Sequence, residues 1–147
     1  MENKIFEFGK ENYEELRDVW EKSVRATHNF LSERDIENIK EKIYYYFENV
    51  KIFGMRDENE KIIGFIGISE DKIEMLFVDP KYFKKSIGSK LLKFIVEKMN
   101  IFLVDVNEQN KGALEFYKKM GFEVISRDEF DDMGNPFPIL HLKLKSK

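Results

Sequence analysis

Nine residues, Lys81-Tyr82-Phe83-Lys84-Lys85-Ser86-Ile87-Gly88-Ser89, join an apolar run to an amphipathic one. The apolar run, Ile73-Glu74-Met75-Leu76-Phe77-Val78, is stopped by Asp79-Pro80, because proline cannot donate to a strand ladder. The amphipathic run carries Leu91, Leu92, Ile95, Val96 and Met99 at helical spacing and leaves Lys90, Lys93, Glu97 and Lys98 outward. The sequence therefore predicts strand, basic loop, helix. A helix start offers unpaired N–H groups and the positive end of the macrodipole. Gly88, Ser86 and Ser89 are small enough to admit a ligand to that backbone, and Lys84, Lys85 and Lys90 add positive charge. The chemistry this predicts is a seat for a phosphorylated ligand.

Two common phosphate binders do not fit. A Walker loop needs Gly-Lys-Ser/Thr, whereas Gly88-Ser89-Lys90 has the order wrong and Phe83 stands where the upstream glycine belongs. No glycine-rich dinucleotide fingerprint is present. The absence of cysteine excludes disulfides, thiolate metal sites and a cysteine acyl-enzyme. Two isolated histidines among scattered carboxylates predict no metal site. With 25 basic and 28 acidic residues, nothing in the net charge of −3 points to nucleic acid or an anionic membrane. The start of the chain, Met1-Glu2-Asn3-Lys4, opens no apolar signal segment, and no run of 18 apolar residues occurs, so a cytoplasmic protein is expected.

The elements around the loop follow from periodicity. At 147 residues the chain is expected to form one domain, large enough to bury about 70% of its unfolded surface. Ile5 to Phe8 reads as a strand ended by Gly9. A helix from about Asn12 carries Leu16, Val19, Trp20 and Val24 on one face and breaks at Arg25 to Leu31. Ser32 with Asp35 three residues on marks the start of a second helix bearing Ile36, Ile39, Ile43 and Phe47. Val50 to Phe53 and Ile62 to Ile68 read as strands joined by a turn at Asp57 to Glu60. Beyond the central helix, Ile101 to Val106 reads as a buried strand. A helix from about Asn110 to Met120 follows, with Gly121 as its C′ residue. Phe122 to Phe130 and Ile139 to Leu144 read as closing strands around a loop at Asp132 to Pro136, and His141 is expected to pack in the last of them. Hairpins first and helical crossovers later predict a mixed α/β sheet with helices on both faces.

At this point the chain resembles the GCN5-related N-acetyltransferase (GNAT) superfamily. The resemblance rests on the apolar-Asp-Pro strand end, the loop after it, and a later block: Asn107-Glu108-Gln109-Asn110, then Ala113, then Phe116-Tyr117-Lys118-Lys119-Met120-Gly121-Phe122. Trp20, Ser23, Ala26-Thr27-His28 with Phe30-Leu31, and Asp131 to Pro136, look like its small bacterial YjaB-type branch. The loop departs from the family pattern at Phe83, where Gln or Arg is usual, and at Ser86, where a glycine is usual. Backbone amides do the holding there, so a side chain is compatible wherever φ is negative.

The resemblance implies an α/β (α+β) GNAT fold, with a mostly antiparallel sheet splayed between its central strands. It implies an enzyme that uses acetyl-CoA to acetylate an amine-bearing acceptor, small molecule or peptide. A coenzyme A-binding module without catalysis is the rival, suggested by Phe83 and Ser86. For the cofactor it implies the amides of Lys84, Lys85, Ser86, Ile87, Gly88 and Ser89. A backbone N–H near Leu76, Phe77 and Val78 would polarise the thioester carbonyl. Asn107 would hold backbone near the splay, and Asn110 either caps the last helix alone or also touches the cofactor arm. Tyr117 maps to the proton donor for the leaving thiolate, against a core tyrosine with a hydrogen-bonded tip, while Phe116 beside it points another way. Glu74 is the candidate base, re-aimed by a bulge, against a solvated strand residue. His28, Trp20 and Phe30 would wall the acceptor pocket, although Trp20 also fits a core position.

Overall fold

A computed structural model describes residues 4–83 and 85–145. Lys84, one of the expected phosphate contacts, lies outside the described residues. The order of elements is β1 (Phe6–Phe8), α1 (Tyr13–Thr27), α2 (Glu33–Glu48), β2 (Lys51–Arg56), β3 (Ile62–Ile68), β4 (Lys72–Val78), α3 (Ile87–Met99), β5 (Leu103–Asn107), α4 (Lys111–Lys119), β6 (Phe122–Asp128) and β7 (Ile139–Leu144). Short 3-10 turns precede α1 and follow β4.

The strands form one seven-stranded sheet in the order β1-β2-β3-β4-β5-β7-β6. Every neighbouring pair is antiparallel except β4 and β5, which are parallel. That central pairing is brief, spanning Lys72↔Leu103 and Ile73↔Val104 only. From there to Val78 and Asn107 the two strands part. The last side-chain tie before the gap is Lys72 Nζ to Asp105 Oδ2, at 3.0 Å, which raises the lysine's pKa. The ladder between β3 and β4 slips between Gly67↔Met75 and Ile68↔Ile73, so Glu74 is an extra residue with no partner across the strand.

Helices cover both faces, as the patterning predicts. Leu16, Val19, Trp20 and Val24 of α1 meet Ile36, Ile43 and Phe47 of α2 over Phe8, Ile52 and Phe65 of the sheet. On the other face Leu91, Leu92 and Ile95 of α3 and Tyr117 of α4 pack on Ile63, Ile66, Ile73, Val104 and Leu142. β3, covered on both sides, is buried along its whole length and reads accordingly as continuous apolar sequence. Among the described residues, no helix is long and apolar enough to cross a membrane.

The helix ends are chemically specified. Ser32 Oγ accepts from Asp35 N at 3.1 Å and Asp35 Oδ2 accepts from Ser32 N at 3.0 Å, a reciprocal capping box that starts α2. Gly121 follows α4 with φ of +100°, which a side chain rarely adopts, and its N–H returns to Lys118 O at 3.1 Å.

His141 departs from expectation. It does not pack among apolar side chains; it lies between two carboxylates, with Nδ1 2.6 Å from Asp105 Oδ1 and Nε2 2.7 Å from Asp128 Oδ2. Both contacts are donors only when the ring is charged, so Asp128 first and Asp105 second hold its pKa above the ordinary 6.5, against an opposing effect of burial. A raised folded-state pKa means that this tie contributes fully below about pH 6.5 and is lost as pH rises through the folded value. The melting temperature of wild type should therefore exceed that of His141→Asn most at pH 5.5 to 6, with the gap closing on the alkaline side. A gap independent of pH would contradict the tie.

Candidate functional site

The parting of β4 and β5 opens a cleft of about 1040 Å³. β4 gives Ile73 to Val78 to its walls, β5 gives Val104 to Asn107, α3 gives Gly88 and Ser89, and α4 gives Ala113, Phe116 and Tyr117. The end of α1 closes one side with Thr27 and His28. An adjoining apolar pocket of about 440 Å³ lies between α1, α2 and β4 and shares His28, Glu74, Met75 and Phe77 with the cleft.

The edge of β4 that faces the gap carries unpaired amides. Asp79 N donates to Ile63 O at 2.8 Å, and N–H groups along an extended strand alternate sides. Phe77 N–H therefore faces β3, whereas Leu76 and Val78 N–H face the gap. Of the three residues expected near the reacting carbonyl, Phe77 contributes its ring to the wall and not its amide.

The start of α3 lies on the same cleft. The first intrahelical bond runs from Lys90 N to Ser86 O, at 3.1 Å, so the amides of Ile87, Gly88 and Ser89 precede the ladder. The side chain of Ile87 is buried and only its backbone is available, while Lys85 is exposed. A Cβ on Gly88 would touch the Phe116 ring at 3.5 Å, so glycine keeps this wall open. Ser86 is left-handed, with φ of +63° and ψ of +21°, a conformation that disfavours any side chain, and its hydroxyl makes no cap bond. The condition under which a side chain is compatible, a negative φ, is thus not met at Ser86. Ser86→Gly should raise the melting temperature by about 1–4 °C, the relief of a left-handed side chain offset by extra unfolded-state freedom, and leave acetyl-CoA affinity equal or better. A weaker affinity would assign the hydroxyl a part in binding.

Asn107 and Asn110 build the β5–α4 corner. Asn107 Oδ1 accepts from Gln109 N at 2.9 Å and its carbonyl accepts from Asn110 N at 2.9 Å. Asn110 Oδ1 accepts from Ala113 N at 3.1 Å and caps α4. Its Nδ2 lies 3.2 Å from His28 Nε2.

Tyr117 and Glu74 reach the cleft from different elements. Tyr117 is 5% exposed, its ring edge-on to Phe116 and Phe122 with centroids 5.1 and 5.5 Å away. Burial pushes its phenol well above the usual value, so it keeps its proton at any working pH. Phe116 does not point elsewhere as expected; it lines the cleft beside Tyr117. Glu74, freed by the bulge, is exposed at the junction of cleft and pocket, and its Oε2 accepts from Ser69 Oγ at 2.8 Å.

The expected acceptor residues divide. His28 lines both spaces, and burial pushes its imidazole down to about 4. Trp20 is core, 3% exposed, and also lines the smaller pocket. Phe30 lines neither space; its ring packs on His28 at 5.3 Å and on Phe137 at 6.2 Å. Asp105 and Met75 line the cleft and Ser69 meets Glu74 there without a local motif to announce them.

A splayed β4–β5 pair beside an open helix start is the arrangement the resemblance implies, and comparison with known proteins decides it. The sequence profile of the acetyltransferase (GNAT) domain matches residues 48–124. The peptidyl-lysine N-acetyltransferase YjaB of Salmonella typhimurium is 34% identical over 132 residues, covering 90% of this chain and 91% of that protein. The chain belongs to the GNAT family. The solution structure of apo-form YjaB from Escherichia coli is similar with a TM-score of 0.89 and 32% identity, covering 98% of each chain. The PaiA N-acetyltransferase of Thermoplasma acidophilum, solved in complex with coenzyme A, is similar with a TM-score of 0.72 and 26% identity, covering 97% of this chain and 98% of that one. As a GNAT enzyme the protein is an N-acetyltransferase with acetyl-CoA as acetyl donor, which sets aside the rival of a binding module without catalysis. The residues fit that donor: the amides of Ile87, Gly88 and Ser89 suit its phosphates, and the gap beside β4 suits its extended arm.

Proposed function

We propose that this GNAT enzyme acetylates the side-chain amine of lysine in peptides or proteins, in the cleft between β4 and β5. The observation that carries the reading is the brief β4–β5 pairing, which leaves the Leu76 and Val78 amides unpaired and lets Glu74 and Tyr117 open onto one space. The names of the similar YjaB proteins support lysine as acceptor. When bound, acetyl-CoA supplies an activated thioester.

The chain's own groups then divide the work. Ile87, Gly88 and Ser89 amides hold the phosphates, and Lys85 adds charge from solvent. Asn107 and Asn110 fix the corner against which the arm runs. Leu76 and Val78 N–H groups are donors toward the carbonyl oxygen, preorganised because the strand that bears them is held by β3. Glu74 Oε1 or Oε2 takes the proton that the lysine ammonium must shed before it attacks, directly or through water. The Tyr117 hydroxyl gives a proton to the departing sulfur. The pocket between α1 and α2, lined by Trp20, Leu31, Ile39 and Tyr46, suits the aliphatic part of the acceptor with its nitrogen toward Glu74.

An assay of thiol release with acetyl-CoA and a panel of lysine peptides, polyamines and free α-amines tests this reading. Peptides should turn over, with the acetyl group on lysine Nζ by mass spectrometry. Turnover confined to polyamines or α-amines would overturn the lysine assignment.

A further inference from the structure

Four linked hydrogen bonds, of which the His28–Asn110 contact alone spans from α1 to α4, admit one proton arrangement. Thr27 Oγ1 donates to Ser23 O at 2.8 Å; Thr27 Oγ1 and His28 Nδ1 are 2.7 Å apart; His28 Nε2 and Asn110 Nδ2 are 3.2 Å apart; Asn110 Oδ1 accepts from Ala113 N at 3.1 Å. The last bond fixes the amide, because a backbone N–H can only donate. Asn110 therefore presents its NH₂ to His28, so Nε2 must accept and cannot carry a hydrogen. The single proton of the neutral ring is then on Nδ1, and it is donated to Thr27 Oγ1, whose own hydrogen is committed to Ser23 O. Neither the other tautomer nor the imidazolium satisfies this set, since each would place an N–H against the Asn110 NH₂.

The bridge joins parts of the molecule that the sheet does not. His28 is the C-cap of α1, which packs on β3 and β4, while Asn110 is the N-cap of α4, which packs on β6 beyond the gap. They are 82 residues apart in sequence. β4 and β5 themselves pair over two residues only, so side chains must set the spacing of the cleft further out.

We infer that His28 is a positioning residue: as the Nδ1–H tautomer it holds Asn110, and with it the first turn of the helix bearing Tyr117, at a fixed distance from the acceptor side of the cleft. Its ring nitrogen facing the cleft is already occupied, so it is not the base that deprotonates the acceptor. Burial, which pushes the imidazole down to about 4, keeps the neutral form in place through the neutral range. The inference rests on the reading of this cleft as the place of acetyl transfer, but the tautomer stands or falls independently of activity.

Nitrogen-15 NMR of the wild-type ring should show Nδ1–H, with no titration between pH 5.5 and 8. Asn110→Asp keeps an oxygen for the α4 cap but puts an acceptor opposite Nε2, so the ring should take up its second proton at a higher pH than in wild type. His28→Leu should lower kcat about tenfold at saturating acetyl-CoA, from misplacement of the groups across the gap. His28→Gln, whose Oε1 can accept from Asn110, should recover kcat to within about threefold of wild type. An Nε2–H tautomer, a ring titrating near 6.5 in wild type, no rise in Asn110→Asp, or a glutamine variant no better than leucine would each overturn the inference.

Discussion

Tyr117→Phe is expected to fold as the wild type does, to bind acetyl-CoA with similar affinity, and to turn over about 10²-fold or more slowly. The expectation follows from what the substitution leaves in place. The ring stays edge-on to Phe116 and Phe122, and the apolar packing of α4 on the sheet is unchanged. Only the hydroxyl is removed. A thiolate is costly to release unless a donor meets it, and the Tyr117 phenol, its pKa raised by burial, carries its proton at neutral pH. The same shift predicts that Tyr117 adds no alkaline limb to the pH profile below about pH 10. Single-turnover measurement separates chemistry from binding. Retained turnover would remove the proton-donor role, and weakened binding with unchanged turnover would make Tyr117 a cofactor contact only.

Glu74→Gln should cost about 10²-fold in turnover at neutral pH and progressively less as pH rises. A lysine amine of ordinary pKa near 10.4 is almost wholly charged at neutral pH, so a base is needed there and ceases to be needed when free amine is abundant. The amide is nearly isosteric and can still accept from Ser69 Oγ through its oxygen, so packing at the bulge is preserved. The slope of log kcat/KM against pH is the measurement. A loss of the same size at every pH would assign Glu74 to orienting the acceptor and not to taking its proton.

Local chemistry made much of this architecture legible in the sequence. The caps at Ser32 and Asn110, the left-handed stop at Gly121 and the continuous apolar run of β3 each depend on neighbours within a few residues, so spacing alone announces them. The bulge that frees Glu74 is anticipated as a need but not located by any residue type, because register depends on the partner strand. At Ser86 the resemblance marks a position where glycine is usual but leaves the sign of φ open, because the surrounding loop and not the serine itself imposes the left-handed backbone. His141 reads as a packed strand residue because alternation reports which face it occupies and not that Asp105 and Asp128 flank it there. The contact between His28 and Asn110 lies beyond any local pattern, and Phe30 falls behind His28 for the same tertiary reason.

Acetyl-CoA and acceptor are proposed to meet in one cleft between β4 and β5, and amide NMR during titration with acetyl-CoA tests that placement most directly. Shifts should concentrate in the amides of Leu76 to Val78, Ile87 to Ser89 and Asn107 to Ala113, and a lysine peptide added afterwards should move His28, Glu74 and Met75. Saturable binding that perturbs another face of the sheet and leaves these amides unmoved would contradict the account.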